Sequence, residues 1–281
     1  MEEKKKLQDV SRQNSSIEAR VLTVEETERL KKDDVLVSEF KQNKLEKEAK
    51  KNWDLFYKRN STNFFKDRHW ISREFAELLS GASEKVEPSE RLTLLEVGCG
   101  VGNLVFPILK ENPLLFAYAC DFSPRAVQFV KENEDYKPDR IKAFQCDLTE
   151  DDLMEEIPPE SVDLVTMVFV LSAIHPDKML SSIQNISSVL KPGGMVLFRD
   201  YGLNDHAMLR FSKGHKLADS FYVRQDGTRA FFFSLVFLAK LFSDAGFEVA
   251  ANEYVLRETV NKKEGLCVPR VFVQGKFFKK G

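Results

Sequence analysis

The stretch Leu94-Leu-Glu-Val-Gly-Cys-Gly-Val-Gly-Asn103 has three glycines, each separated from the next by one residue, directly after an apolar run. Glycine has no Cβ, so it lets a backbone turn sharply and come close to a ligand. The apolar run predicts a buried strand, and Leu104-Val-Phe-Pro-Ile-Leu109 predicts a helix after the turn. We therefore expect a strand–turn–helix unit that binds a ligand at its turn.

From Leu92 onward, strands and helices alternate along the chain. Strands are predicted near 92–97, 115–120, 141–145, 162–169 and 195–199, and helices near 102–111, 124–134, 177–190 and 234–245. This alternation is typical of an α/β protein with a parallel sheet covered on both faces. No helix separates the last two predicted strands, 247–258 and 267–278, so we expect them to form an antiparallel pair at one sheet edge.

The glycine spacing distinguishes two nucleotide cofactors. Dinucleotide-binding sites typically have the pattern GxGxxG, and the N-terminus of the helix that follows it faces the pyrophosphate. Here the pattern is GxGxG, preceded by Glu96. Asp121 follows the next strand, where a carboxylate can bind both ribose hydroxyls. Asp147 and Leu148 follow the third strand, where they offer an adenine an acceptor and an apolar face. Together these residues favour S-adenosylmethionine over a nicotinamide cofactor.

The N-terminal part has a different composition. Residues 1–52 carry 13 basic and 12 acidic residues, so we expect 1–20 to be a disordered tail and 21–80 to form a helical arm. Within the arm, Trp53, Phe56 and Tyr57 share one face of a predicted helix. Such a face is typical either of a packed core or of an aromatic lid over a cofactor, and both interpretations stay open.

The remainder, 81–281, is predicted to form one large domain with a substrate insertion at about 203–231, in which Asp226-Gly227 predicts a hairpin turn.

The longest apolar run is too short to span a membrane. The four cysteines are far apart and form no CxxC pair, so we expect a reduced, cytoplasmic protein without a metal site.

The formal net charge of −2 conceals two regions of opposite sign. Residues 53–190 contain 14 basic and 23 acidic residues, whereas 191–281 contain 15 basic and 9 acidic residues. Clustered cations bind nucleic-acid phosphates, so the C-terminal part is the predicted RNA-contacting region. Its last 25 residues contain Arg257, Lys262, Lys263, Arg270, Lys276, Lys279 and Lys280.

Several segments resemble one enzyme family. Residues 90–200 resemble the class I S-adenosylmethionine-dependent methyltransferases, and 20–280 resemble the tRNA 3-methylcytidine methyltransferases more closely. The segments that carry the closer resemblance are Asn52-Trp-Asp-Leu-Phe-Tyr57, Phe64-Phe-Lys-Asp-Arg-His-Trp70, Cys120-Asp-Phe-Ser-Pro-Arg125, Phe198-Arg-Asp-Tyr-Gly202, Tyr222-Val-Arg-Gln-Asp-Gly-Thr-Arg229 and Asn261-Lys-Lys-Glu-Gly-Leu-Cys-Val-Pro-Arg270. The chain looks most similar to the members that act on serine tRNAs.

The resemblance implies a class I methyltransferase sheet of the Rossmann-like kind. It implies methylation of N3 of the cytosine that opens the anticodon loop, position 32, in serine tRNAs. It also implies seryl-tRNA synthetase as a partner. We expect the chain to be otherwise monomeric and to be located in the cytoplasm and also in the nucleus. The cofactor contacts that it implies are Trp53, Tyr57, Gly98, Asp121, Asp147, Leu148 and Val168.

Arg199 and Asp200 are the predicted catalytic residues, because they follow the strand that should face the cofactor methyl group. A carboxylate at Asp200 could accept a hydrogen bond from the cytosine N4 amino group and stabilise the cationic product. The alternative is an internal Arg–Asp pair that holds the strand end. A methyltransferase for a protein or small molecule, and a tRNA-associated module without turnover, are the competing functions.

Overall fold

The computed structural model describes residues 14–32, 35–79, 91–261 and 266–281. Within these residues it has eleven strands: β1 (Asn14–Ser16), β2 (Thr93–Val97), β3 (Phe116–Asp121), β4 (Ile141–Gln145), β5 (Val162–Val168), β6 (Leu190–Tyr201), β7 (Lys216–Ala218), β8 (Phe221–Val223), β9 (Arg229–Phe231), β10 (Phe247–Asn261) and β11 (Leu266–Lys279). Eight of them form one sheet in the order β1-β10-β11-β6-β5-β2-β3-β4.

The pairing within this sheet confirms the predicted fold class. Strands β2 to β6 pair in parallel. The antiparallel pair of β10 and β11 extends the sheet from β6, as the missing helix between them predicted. Because β2 lies between β3 and β5, the chain reverses its direction of winding there, and a crevice opens at the carboxyl ends of the strands.

The described residues also form nine α-helices. They are α1 (Val24–Lys31), α2 (Glu39–Lys47), α3 (Ala49–Asn60), α4 (Ile71–Glu74), α5 (Val105–Glu111), α6 (Pro124–Lys131), α7 (Pro176–Val189), α8 (His206–Leu209) and α9 (Leu235–Asp244). Local sequence explains several starts: the Ser123 hydroxyl caps α6 and proline occupies its first turn, and Nδ1 of His175 caps α7 in the same way. These helices cover both faces of the sheet.

Neighbouring residues on one strand pack on opposite faces of the sheet. Leu94 and Leu197 belong to the hydrophobic core on one face, whereas Leu95 and Phe198 belong to the core on the other. All four side chains are completely buried. This double burial is what the near-continuous apolar runs of the predicted strands require.

Residues 14–20 are more ordered than the sequence indicated. Strand β1 pairs antiparallel with β10, and Arg20 donates to the Asn204 carbonyl at 3.0 Å. The predicted disorder of 1–20 is therefore wrong for 14–20, while 1–13 lie outside the described residues. The polar sequence Asn-Ser-Ser carries no strand signal of its own, because its order comes from an existing sheet edge.

The predicted insertion forms a second, three-stranded antiparallel sheet of β7, β8 and β9. Its hairpin turn lies at Asp226-Gly227, as predicted, and Gly227 has a φ of 84°. A Cβ at Gly227 would lie 2.7 Å from Nδ2 of Asn52, which itself donates to the Gly227 carbonyl at 3.2 Å. Helix α3 of the arm therefore packs directly against the insertion.

The basic residues of the C-terminal strands are mostly occupied by internal partners. Arg270 forms an ion pair with Asp205 at 2.8 Å, Lys276 with Glu77 at 2.5 Å, and Lys279 with Glu160 at 3.1 Å. The prediction of a phosphate-binding track along these residues does not match their geometry, because paired cations are poor phosphate ligands. Lys262 and Lys263 lie outside the described residues. No described helix is long and apolar enough to span a bilayer.

Candidate active site

The glycine-rich turn has the conformation that its sequence requires. Gly98, Gly100 and Gly102 all have positive φ angles, which residues with a Cβ rarely adopt. A Cβ at Gly98 would also lie 2.5 Å from the Val170 side chain. The turn consequently exposes backbone at the end of β2, where a ligand can approach it closely.

Asp121 connects this turn to the next one. It ends β3 and is only 5% exposed. Its two carboxylate oxygens accept hydrogen bonds from the backbone N–H groups of Gly100 at 3.0 Å and Ser123 at 2.9 Å. Burial raises the pKa of this carboxyl to about 6 despite these donors. The carboxylate is thus fixed at the cavity wall, where it can accept from ribose hydroxyls.

Asp147 and Leu148 form the far wall beyond β4. Oδ1 of Asp147 accepts from the Thr149 backbone at 3.0 Å and from its hydroxyl at 2.8 Å, which fixes the turn. Leu148 is 8% exposed and belongs to the core. Asp121, Asp147 and Leu148 all line one cavity of about 330 Å³. That volume lies in the ordinary range for small-molecule sites.

A second cavity, of about 280 Å³, adjoins the first and is lined by Val168. All seven predicted cofactor residues therefore line one of the two cavities. Six residues line both and so mark the junction between them: Trp53, Tyr57, Gly98, Phe169, Ala173 and Arg229.

The aromatic face of α3 combines the two interpretations left open by the sequence. Phe56 and Tyr57 are buried, with ring centroids 5.5 Å apart, so part of this face is packed core. Trp53 is half-buried and lines both cavities, as Tyr57 also does. Burial, with the nearby Asp121 carboxylate, raises the pKa of Tyr57 well above its usual value, so its hydroxyl stays neutral. The arm therefore supplies both core and cavity wall.

Polar contacts hold the arm over the cofactor cavity. Asp54 accepts a hydrogen bond from the Ser123 hydroxyl at 2.9 Å and forms an ion pair with Arg125 at 3.3 Å. Glu46 forms ion pairs with Arg229 of the insertion and with Lys178 of α7. Arm, insertion and central domain thus meet at the roof of the site.

Arg199 and Asp200 occupy positions that differ from the predicted ones. Neither side chain lines either cavity. Asp200 is completely buried, and its oxygens accept from the backbone N–H groups of Ser172 at 2.9 Å and Tyr201 at 2.8 Å. Burial raises its pKa to about 6. Since Ser172 lines the second cavity, the geometry makes Asp200 a support for that wall rather than a group in contact with a base.

Arg199 lies on the opposite face of β6, because adjacent strand residues alternate. Its guanidinium donates to the Gln274 side chain at 2.9 Å, approaches Glu74 to 3.7 Å and stacks over the Trp70 ring at 4.6 Å. The alternative of an internal Arg199–Asp200 pair is therefore wrong. Burial, together with the charge of Arg257, lowers the pKa of Arg199 to about 9.

Sequence reasoning missed several residues of the cavity walls. Phe169 has a φ of 61°, an uncommon conformation for a bulky residue and one that is often found at functional sites. Its ring lies 5.1 Å from Tyr201 and 5.5 Å from Phe272, and all three line the second cavity. Arg68 and Arg229 belong to segments that carried the family resemblance, but no residue spacing assigned them a role.

Comparisons with known proteins agree with this geometry. A family model described as a methyltransferase domain matches residues 95–196. The solved structure of an S-adenosylmethionine-dependent methyltransferase from Anabaena variabilis superposes with a TM-score of 0.59, at 14% identity, over 83% of this chain and 95% of that one. At that identity the likeness concerns the fold alone.

Two relatives identify the family. The human tRNA N(3)-cytidine methyltransferase METTL6 is 65% identical over 269 residues, which are 96% of this chain and 94% of that protein. The Schizosaccharomyces pombe tRNA N(3)-methylcytidine methyltransferase trm141 is 46% identical over 242 residues, with 85% of this chain and 96% of that protein covered. On this similarity, which extends through the arm, the glycine-rich turn and the insertion, the chain belongs to the tRNA N(3)-cytidine methyltransferase family.

Proposed function

We propose that this chain transfers the methyl group of S-adenosylmethionine to N3 of the cytosine at position 32 in serine tRNAs. Family membership makes it a tRNA N(3)-cytidine methyltransferase that uses this cofactor. The structural observation that carries the proposal is the junction of two cavities at Trp53, Tyr57 and Gly98. The first cavity fits the adenosine part, and the second opens beside the position that the sulfonium would take.

The methyl transfer requires little from the protein beyond alignment of the reacting atoms. Cytosine N3 is unprotonated at neutral pH, so its attack on the methyl carbon requires no base. The methyl carbon bonds to N3 while its bond to sulfur breaks, leaving a neutral thioether and a cationic base. Catalysis then consists mainly of holding N3, carbon and sulfur in line while water is excluded. The contacts of Asp54 and Glu46 that close the arm over the first cavity serve this exclusion.

The second cavity fits a base taken out of its stack. N3 lies on the pairing edge, so a protein must receive the base unstacked from a single-stranded loop. Phe169, Tyr201 and Phe272 provide ring faces there, and base–aromatic stacking is worth about 1–3 kcal/mol per base. Arg224 adds positive charge to the same walls, whereas the charge of Arg270 is offset by Asp205.

Unpaired lysines at the mouth of the first cavity support tRNA binding. Lys47 and Lys50 are exposed and line this mouth, and Lys41 and Lys44 continue along the exposed side of α2. None of these four forms an ion pair with another described residue. Such a row suits backbone phosphates, so the proposed phosphate contact moves from the C-terminal strands to the arm.

The choice of serine tRNAs and the help of seryl-tRNA synthetase belong to the proposal and rest on the family resemblance. A single loop base cannot identify one tRNA species, so a partner that already recognises serine tRNAs would supply that identity. The cytoplasmic and also nuclear location stays a prediction.

A methylation assay with defined transcripts tests the proposal. The purified chain would be incubated with S-adenosylmethionine and three transcripts: a serine tRNA, the same tRNA with uridine at position 32, and a non-serine tRNA with cytosine at position 32. We expect 3-methylcytidine in the first transcript alone, formed faster when seryl-tRNA synthetase is added. Equal methylation of the first and third transcripts would contradict the serine specificity, and methylation of the second would contradict the position.

A further inference from the structure

Arg199 is a buried cation that lines neither cavity. Its side chain is almost inaccessible, with the whole residue 1% exposed. Its pKa of about 9, lowered by burial and by the charge of Arg257, still leaves it charged at neutral pH. Replacing a buried ion pair by apolar residues of similar volume often leaves stability unchanged or raises it. Stability is therefore a weak reason for a cation at this position.

Two polar side chains fix the orientation of the Arg199 guanidinium. Nη1 donates to Oε1 of Gln274 at 2.9 Å and lies 3.7 Å from Oε2 of Glu74. The amide nitrogen of Gln274 donates to the same Glu74 oxygen at 3.4 Å, which closes a triangle between α4, β6 and β11. Arg199 and Gln274 lie directly opposite each other in the pairing of β6 with β11.

The fixed guanidinium lies over two aromatic rings of the second cavity. Its central carbon, Cζ, is 4.6 Å from the ring centroid of Trp70 and 5.2 Å from that of Phe272. Both rings are half-buried and line the second cavity. Trp70 belongs to the arm and directly precedes α4, whereas Phe272 lies on β11 opposite Tyr201. Arg199 thus joins two cavity walls that are distant in sequence.

We propose that Arg199 is a positioning residue for the tRNA base: its guanidinium holds Trp70 and Phe272 in place as walls of the second cavity and contacts neither the base nor the cofactor. The inference rests on the proposed function. A planar guanidinium stacks on aromatic faces in a way that a lysine ammonium does not reproduce. A displacement of about 1 Å can lower a rate roughly 100-fold, so the position of the ring walls matters for the alignment of cytosine N3.

The backbone of Arg199 contacts a third wall. Its carbonyl accepts a hydrogen bond from the N–H of Phe169 at 2.8 Å, next to the positive φ of that residue. A side-chain substitution leaves this backbone bond available, so variants of Arg199 test the two ring contacts separately from it.

Arg199→Met removes the charge and the planar group while it keeps a long side chain. Single-turnover methylation of a serine tRNA transcript, at saturating S-adenosylmethionine and tRNA, should slow by about 5- to 150-fold, the range expected for losing the stacking of one base. The Kd values of S-adenosylhomocysteine and of the tRNA should change less than about twofold, because the first cavity and the phosphate contacts are intact. A purely structural residue would not separate rate from binding in this way.

Two single variants make the result specific. Arg199→Lys keeps a charge beside Glu74 but not the planar group, so it should slow the reaction by a similar factor; it also covers the case in which Arg199→Met fails to fold. Arg140→Met is the matched control. Arg140 is half-buried, lines neither cavity and donates to three backbone carbonyls, those of Leu109, Asn112 and Leu115. Its loss should lower the unfolding temperature and leave the rate unchanged.

A combination of variants tests whether Arg199 acts through the rings. In a chain that already carries Trp70→Leu and Phe272→Leu, adding Arg199→Met should slow the reaction little further, because residues that act as one unit are not additive. A full additional loss in that chain would mean that Arg199 acts independently of the rings.

Other outcomes would also overturn the assignment. A wild-type rate in Arg199→Met would remove any role in the reaction, and a wild-type rate in Arg199→Lys would show that the charge counts and the stacking does not. Weaker S-adenosylhomocysteine binding in parallel with the rate would make Arg199 a residue of the general structure. If the wild-type chain formed no 3-methylcytidine, the proposed function would fail and this inference with it, and that failure is recognisable before any substitution is made.

Discussion

Trp53→Ala should weaken binding of the cofactor, by an amount that depends on the charge of the cofactor's sulfur. Trp53 lies at the junction of the two cavities, where the sulfonium is expected. Attraction between a cation and an aromatic face is worth about 0.5–2 kcal/mol. At about 1.4 kcal/mol for each tenfold change, this raises the Kd of S-adenosylmethionine by roughly 2- to 30-fold. Loss of apolar contact with the ring adds to this for any ligand.

S-adenosylhomocysteine supplies the reference, because its sulfur is neutral. Trp53→Ala should raise its Kd less, so the ratio of the two Kd values should change by roughly the same 2- to 30-fold factor. Phe64→Ala is the matched control: Phe64 is an aromatic residue of the same arm, 58% exposed, with its ring centroid 4.8 Å from Phe56 and no part in either cavity. It should leave both values unchanged.

Calorimetry with both ligands, together with thermal unfolding of each variant, completes the assay. If Trp53→Ala weakens binding of both ligands equally, the attraction of the ring for the sulfonium is refuted, and the ring contributes only apolar contact. If neither Kd changes while the unfolding temperature falls, Trp53 is a packing residue alone.

Three other substitutions test the remaining parts of the site. Asp121→Asn removes the charged ribose acceptor and should raise the Kd of S-adenosylhomocysteine by about 10- to 150-fold in calorimetry; an unchanged Kd would contradict the ribose contact. Burial raises the pKa of Glu96 from its ordinary value of 4.5 to about 8, so the folded state holds this proton more tightly than the unfolded chain does. The free energy of unfolding should therefore fall, by up to about 5 kcal/mol, as the pH rises from about 4.5 to about 8, and urea unfolding of Glu96→Gln should lose this dependence. Asp200→Asn turns one amide N–H toward a backbone N–H of Ser172 or Tyr201, so single-turnover rates should drop while S-adenosylhomocysteine still binds; a wild-type rate would remove Asp200 from the account.

The cofactor half of the site could be predicted from the sequence because its residues follow strands. In a parallel sheet the carboxyl ends of neighbouring strands lie together, so Gly98, Asp121 and Asp147 had to meet once β2, β3 and β4 were recognised. Glycine at positive φ and the GxGxG spacing then indicate a close backbone approach to a ligand. Local sequence was sufficient for these residues, whereas Trp53, Tyr57 and Val168 were assigned by the family resemblance.

The substrate half depends on contacts that local patterns do not encode. Arg68, Phe169 and Arg229 come from the arm, the end of β5 and the insertion, and only tertiary packing brings them to one cavity. The predicted roles of Arg199 and Asp200 assumed that both side chains point toward the cofactor methyl group. Consecutive strand residues, however, face opposite sides of the sheet.

The cations of the C-terminal strands differ from their predicted role for a related reason. A residue count detects their positive charge but not their partners, and Asp205, Glu77 and Glu160 are distant in sequence from the residues that they neutralise. The same limit applies to β1, which is ordered by β10 rather than by its own residues.

The central claim is that two adjoining cavities deliver a methyl group from S-adenosylmethionine to cytosine N3 in tRNA. In its most direct test, the purified chain is incubated with cofactor that has a deuterated methyl group and with total tRNA that does not already carry 3-methylcytidine. The tRNA is then digested to nucleosides and analysed by mass spectrometry. The account predicts deuterated 3-methylcytidine as the main labelled nucleoside, and its loss when Gly98→Ala places a Cβ against Val170 in the turn. A label on another nucleoside, or none on tRNA from an enzyme that binds the cofactor, would contradict it.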